Sequence, residues 1–207
     1  MSPSDDAPAL ETTLDRFAAL VQSSPHNLVS ARAREELRGR HVPECLAFAE
    51  LLPVTGRFLD LGSGGGFPGI IVALHGRERT VHLLDATAKK TAFLRNTAAR
   101  LGVPVEVHTG RAEDLGAGAL GGTFDVVTAR AVAPLVTLVA WAEPFLGPGG
   151  ALYAIKGERW GEELAAASRE IERRGLEPRS TPSTDQRFGP TPDRPHAPRV
   201  VMLQRAA

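Results

Sequence analysis

Four glycines fall within the five residues 62–66, inside the run DLGSGGGFPG at 60–69. Glycine reaches positive φ and lets a backbone approach a ligand closely. Arg57 to Leu61 reads as a short strand and Ile70 to Leu74 as part of a helix opening at Pro68, so the glycines form a strand-to-helix turn. The first amides of that helix would face the same point as free donors. A turn of this kind fits a nucleotide-type cofactor, either a dinucleotide with its pyrophosphate on the helix N-terminus or S-adenosylmethionine. Asp60 favours the second: a carboxylate two residues before the first glycine repels a pyrophosphate and attracts the ammonium of a methionine moiety, directly or through water. The GxGxG at 62–66 also departs from dinucleotide GxGxxG spacing, although Gly69 keeps that alternative open. An ordinary tight turn with no ligand is the competing account.

A second carboxylate lies 23 residues beyond Gly62, where the apolar strand Thr80 to Asp85 ends. An acid at that place can hold the ribose of either cofactor, as Gly62 and Gly64 can bring the backbone close to it. Alternatively, Asp85 or Thr87 caps the next helix. That helix spans Thr87 to Leu101, with Leu94, Ala98 and Leu101 on one face and Gly102 as its stop. Pro104 to His108 is a third strand, followed by GRAEDL at 110–115. Ala112 can offer its amide there and Glu113 its carboxylate to an adenine; a solvated loop acid is the competing account.

The elements that must hold these groups alternate along the chain. Phe124 to Thr128 and Gly150 to Lys156 read as strands, with helices over Pro134 to Phe145 and Trp160 to Arg174 and a last strand over Arg199 to Gln204. At 207 residues this is one doubly wound α/β domain. The six prolines from Pro178 to Pro198 mark a loop or an irregular edge hairpin. Leu10, Leu14, Phe17 and Val21 have helical spacing and Pro43 opens another helix to about Leu52, so residues 1–55 form a helical extension. No repeat of 20 to 50 residues is visible.

Asp5, Asp6, Glu11 and Asp15 make the start of the chain unlike a signal peptide, and no apolar run reaches spanning length, which predicts a cytoplasmic protein with no membrane partner. Cys45 is the only cysteine and reads as a small buried hydrophobe. The histidines show no close HxH or HxxxH pairing, so no metal site is expected. A formal net charge of zero excludes a protein that coats nucleic acid by a general positive field. Local clusters exist, at Arg32, Arg34, Arg38, Arg40 and His41 and again at Arg194, His196 and Arg199. They read either as solvated surface or as a phosphate-contacting face beside the crevice.

With these residues in place the chain resembles the RsmG family, formerly called GidB, over residues 25–204. The resemblance rests on Asn27 and Leu28, Arg40 and His41, DLGSGGGFPG at 60–69, LLDATAKKTAFL at 83–94, GRAE at 110–113, TARAVAPL at 128–135 and AIKG at 154–157. One departure is Glu44 and Cys45, where the family often has Asp-Ser. The resemblance implies an α/β class I S-adenosylmethionine-dependent methyltransferase (Rossmann-like) fold over 1–207 and methylation of guanine N7 in 16S ribosomal RNA, at guanine 527. It implies that Gly62, Phe67, Ala112, Glu113 and Arg130 contact the cofactor. Arg130 ends the fourth strand, where it can pair with the methionine carboxylate or an RNA phosphate or serve as a structural ion-pair partner. For the RNA the candidates are Arg40, His41, Lys156 and Arg199, within a small ribosomal subunit or an assembly intermediate, with the protein acting as a monomer.

The chain has no [DN]PP[FY] tetrapeptide for an exocyclic amine, and Cys45 lacks the Pro-Cys context of a carbon-5 nucleophile. Guanine N7 needs neither, its lone pair being free, so no catalytic base is assigned. The rivals are a methyltransferase for a small molecule or protein, a dinucleotide oxidoreductase and a noncatalytic cofactor sensor.

Overall fold

A computed structural model describes residues 7–76, 78–179 and 196–206. Its centre is one seven-stranded sheet: β1 (Gly56–Leu61), β2 (Arg79–Asp85), β3 (Val105–Thr109), β4 (Phe124–Arg130), β5 (Leu146–Lys156), β6 (Leu176–Arg179) and β7 (Arg199–Arg205). Their order is β3-β2-β1-β4-β5-β7-β6. The first five are mutually parallel and β7 runs against both its neighbours. Strand order reverses between β1 and β4, which opens a crevice at their carboxyl ends.

Alternating residues divide two apolar layers. Phe58, Val81, Val126 and Ala151 pack with Phe17, Phe48, Ile70 and Leu94; these come from α1 (Ala7–Gln22), α3 (Val42–Glu50), α4 (Gly69–His75) and α5 (Ala88–Leu101). On the opposite face Leu59, Val127, Leu152 and Leu203 meet Leu138 and Ile171 of α7 (Leu135–Ala142) and α8 (Trp160–Arg173). With both faces covered, the central parallel strands β1, β2 and β4 are mostly buried runs, which is what made them readable.

The N-terminal helices belong to the first layer. Leu14, Phe17 and Val21 are buried, as their spacing predicts, and Pro43 lies in the first turn of α3. Between them, α2 (Ala31–Glu35) begins at Ser30, whose Oγ accepts from the Ala33 amide at 3.2 Å, and a π-helical turn spans Leu37–His41. The buried Arg79 side chain at the start of β2 donates to the carbonyls of Ala49, Leu52 and Pro53. That contact satisfies the Ala49 carbonyl in the last turn of α3 and two carbonyls just beyond it, and ties the N-terminal helices to the sheet.

Several elements differ from the sequence reading, which gave no helix at Ala31–Glu35 or Ala112–Gly116 and no strand at Leu176–Arg179. The helix expected over 134–145 stops at Ala142 and tightens into a 3-10 turn at Glu143–Phe145, because Pro144 has no amide to continue it. β5 begins at Leu146, four residues early, beyond an irregularity in its pairing with β4. Pro68 is the N-cap of α4 rather than its first residue. Of the proline-rich stretch, Pro178 lies in the edge strand β6, where a missing amide is tolerated, and 180–195, including Arg194, falls outside the described residues. Among the described residues no helix is long and apolar enough to cross a membrane.

Candidate functional site

The glycine turn leaves β1 with Gly62 at φ 71°, Gly64 at 52° and Gly66 at 94°, a left-handed path that glycine takes without strain. A Cβ on Gly62 would come within 2.8 Å of Val132 Cγ2, so this glycine keeps the turn against the loop after β4. Four of the turn's amides are engaged within the chain. Ser63 donates to the Leu84 carbonyl, Gly64 to Asp85 Oδ2 at 3.0 Å, Gly66 to the Ser63 carbonyl and Gly69 to Asp60 Oδ2 at 3.2 Å.

Asp60 therefore takes a different place from the one expected of it. It shares the sheet face of Phe58, beneath α4, and its other oxygen accepts from the Thr128 hydroxyl at 2.9 Å. It is 1% exposed, and burial pushes its carboxyl up to about 6 against those hydrogen bonds. It touches the turn from below and does not border the cleft above.

That cleft, of ≈ 150 Å³, is lined by Gly62, Asp85, Ala112 and Glu113, with Leu61, Leu84, Ala86, Gly110, Arg111, Val132 and Trp141. Ala112 and Glu113 open the short α6 (Ala112–Gly116) after β3. Asp85 accepts from the Thr87 amide at 2.8 Å as well as from Gly64, with Lys90 Nζ 3.7 Å away. One carboxylate thus fixes the glycine turn, the entry to α5 and one wall of the cleft.

A second depression of ≈ 1110 Å³ adjoins it and shares Val132. This groove brings together Arg40, His41, Arg130, Lys156 and Arg199, which are spread over 160 positions of sequence. Arg130 Nη1 donates to Glu44 Oε2 at 3.0 Å and approaches Cys45 Sγ at 3.5 Å; Nη2 donates to His41 Nδ1 at 3.1 Å. Its guanidinium lies 5.5 Å from the centre of the Phe67 ring. Burial acts to raise the Glu44 carboxyl, but His41 and the Arg130 charge outweigh it and hold the group below its ordinary value. Burial also pushes the Cys45 thiol up to about 12, so it is a neutral packing group. Ala131, next to Arg130, has φ 53°, an uncommon conformation for a residue with a side chain.

Of the residues singled out from the sequence, Gly62, Asp85, Ala112 and Glu113 meet in the cleft and Arg130 with the four RNA candidates in the groove. Gly64 stands behind the cleft, its amide on Asp85. Phe67 is 6% exposed and packs on Phe17, ring centres 4.8 Å apart, inside the first apolar layer. Lys156 turns inward to Glu163 at 2.8 Å and to the Ala133 carbonyl at 2.9 Å. Arg32 and Arg40 both bind Glu36, and Arg38 binds Glu11 and Asp15, so this part of the arginine cluster is largely an ion-paired surface. The sequence reading missed Val132 and Trp141. Both come from the segment after β4, and the position of that strand beside β1 is the signal that leads to them.

Among the described residues one further cluster, His82, Glu106 and His108, brings donor atoms within 4.8 Å of one another. Arg57 Nε donates to His82 Nε2 at 3.2 Å, which leaves the His82 proton on Nδ1, facing His108 Nε2 at 2.9 Å. The two rings lie within 9° of parallel. This is a hydrogen-bond relay in which both His82 nitrogens are engaged.

A doubly wound sheet with a reversed last strand, a glycine turn after β1 and a carboxylate ending β2 define a class I methyltransferase fold. Among solved structures, a Methanococcus maripaludis protein described as S-adenosylmethionine-dependent methyltransferase superposes with a TM-score of 0.61 at 15% identity, covering 84% of this chain and 90% of that one. At that identity it speaks to the fold alone. The sequence profile of the rRNA small subunit methyltransferase G family (GidB) matches residues 11–190. The ribosomal RNA small subunit methyltransferase G of Halorhodospira halophila is 47% identical over 77% of this chain and 75% of its own length. That of Sorangium cellulosum is 43% identical over 79% and 70%. The chain belongs to the rRNA small subunit methyltransferase G family.

Proposed function

We propose that this protein transfers a methyl group from S-adenosylmethionine to N7 of a guanine in 16S ribosomal RNA, guanine 527 being the target that the resemblance implies. The observation that carries the reading is the shared wall: Val132 borders both the carboxylate-lined cleft and the cation-lined groove, so a cofactor and a polyanion meet across one side chain.

The residues present fit that cofactor better than a dinucleotide. The amides of Ser63, Gly64, Gly66 and Gly69 are engaged within the chain, which takes four of the turn's donors away from a pyrophosphate. Asp85 would accept from ribose hydroxyls, with Ala112 and Glu113 beside the adenine. At ≈ 150 Å³ the cleft is smaller than the roughly 300–1,000 Å³ of ligand sites, so the amino-acid end would extend past Val132 towards Arg130. When bound, this cofactor supplies a sulfonium methyl group open to in-line attack. The N7 lone pair of guanine is free, so no residue has to remove a proton. The chain's own part is to hold two reactants in line and exclude water, a contribution that reaches about 7–11 kcal/mol in well-oriented systems.

Calorimetry with S-adenosylmethionine and with NAD tests the cofactor: the first is expected to bind and the second not. N7 methylation makes the base labile, so borohydride and aniline should cleave the modified RNA at one site. Label in an exocyclic amino group, or efficient methylation of a small molecule with none in ribosomal RNA, would overturn the reading.

A further inference from the structure

Arg130 is the last residue of β4, yet none of the contacts that fix its guanidinium comes from a neighbouring strand. Glu44 Oε2 at 3.0 Å, His41 Nδ1 at 3.1 Å and Cys45 Sγ at 3.5 Å all precede β1 in the chain, and Phe67 lies in the glycine turn. The π-helical turn Leu37–His41 runs directly into α3, so His41 and Glu44, three residues apart, reach the same guanidinium. The pair is sheltered, with Arg130 12% and Glu44 22% exposed at their side chains. Glu44 is also a wall of the groove. By charge alone a carboxylate there opposes a polyanion, so its place calls for a role that depends on contact.

We propose that Glu44 is a positioning residue for Arg130: the N-terminal helices hold this guanidinium at the carboxyl edge of the sheet, and an anionic group of the ligand binds an arginine already set in place. A free arginine side chain carries much rotamer freedom, which a ligand would otherwise have to freeze. Glu44 and Cys45 engage Nη1 and His41 engages one donor of Nη2, which leaves the second Nη2 proton and the Nε proton for the ligand. The inference rests on Arg130 contacting the cofactor or RNA, as the proposed function has it.

Calorimetry of the full chain with S-adenosylmethionine, paired with thermal melting, tests it. Glu44→Gln keeps the shape and removes the charge, and is expected to weaken cofactor binding about tenfold. Glu44→Asp, shorter but charged, should fall between the two. In an Arg130→Ala background Glu44→Gln should change nothing further, because its effect passes through the arginine. Equal or tighter binding by Glu44→Gln would show an adverse charge only. A lower melting temperature with unchanged affinity of the folded fraction would show a structural pin only. Either result overturns the proposal while leaving the proposed function standing. Failure of the unaltered chain to bind S-adenosylmethionine would overturn both.

Discussion

Removing the Arg130 guanidinium leaves Glu44, 22% exposed, without its ion-pair partner. Arg130→Ala is therefore expected to cost stability, on the order of 1–3 kcal/mol. Methyl transfer should fall further than the folded fraction does, because the guanidinium also faces the groove. Turnover and melting measured together decide this: full activity in the remaining folded protein would make Arg130 an ion-pair partner alone. Gly62→Ala acts on the other wall, forcing a side chain to φ 71° and into Val132. It is expected to cost about 1–2 kcal/mol of backbone strain and to weaken cofactor binding through Val132, and unchanged affinity in a folded variant would count against the cleft. Two buried groups set a pH dependence of opposite signs. Burial pushes His82 down from 6.5 to about 4, with the nearby Glu106 opposing it, so the unfolded chain binds more protons in that window and stability falls as pH drops from 6.5 towards 4. Asp60 is raised from 3.8 to about 6, so the folded chain binds more protons and its contribution is lost as pH rises through 6. The two offset each other between 4 and 6. Asp60→Asn should therefore steepen the acid loss of stability by up to about 1.4 kcal/mol per pH unit, and melting curves with an unchanged pH slope would refute the assignment.

At the scale of elements, α5 shows what the sequence could deliver. Gly102 ends it at φ 66°, with its amide on the Ala98 and Ala99 carbonyls, as the glycine after a periodic apolar face predicts. A Cβ there would meet nothing within 4 Å, so Gly102→Ala is expected to cost only the left-handed backbone penalty, about 1 kcal/mol. Affinity for the cofactor should not change; a loss would mean that the end of α5 reaches the cleft. The central strands β1, β2 and β4 were legible for the same reason, being buried runs between turn residues, whereas β6, with one buried residue, gave no such signal. The break at Pro144 was legible in principle, since a proline at that depth of a helix removes an amide. Asp60 was misplaced although strand alternation sets it on the face of Phe58, under α4, and away from the opening. The groove was not readable in any local signal. It exists because β4, β5 and β7 are neighbours and the π-helical turn meets their edge, which places residues near 40, 130, 156 and 199 side by side.

For the whole molecule, charge decides how RNA can be recognised. Twenty-four basic residues against twenty-four acidic ones give no long-range field to draw in a polyanion. Within the groove Arg40, Arg130, Lys156 and Arg159 are paired with Glu36, Glu44, Glu163 and Glu162. Few phosphates can then be neutralised, and the salt dependence of binding should be shallow: with about three phosphate contacts, log K against log salt has a slope near about −2 for single strands. Affinity must come instead from shape, from a target whose groups are already arranged to fit a groove of ≈ 1110 Å³ beside the cleft. A folded ribosomal particle offers such an arrangement, whereas free RNA must lose conformational freedom to adopt it. Methyl transfer from tritiated S-adenosylmethionine is therefore expected to be faster into purified small subunits than into the same RNA stripped of protein. The advantage should persist as salt is raised, because it does not rest on charge. Deproteinised RNA methylated as fast as the particle, or a steep salt dependence, would show that the groove's cations carry recognition after all.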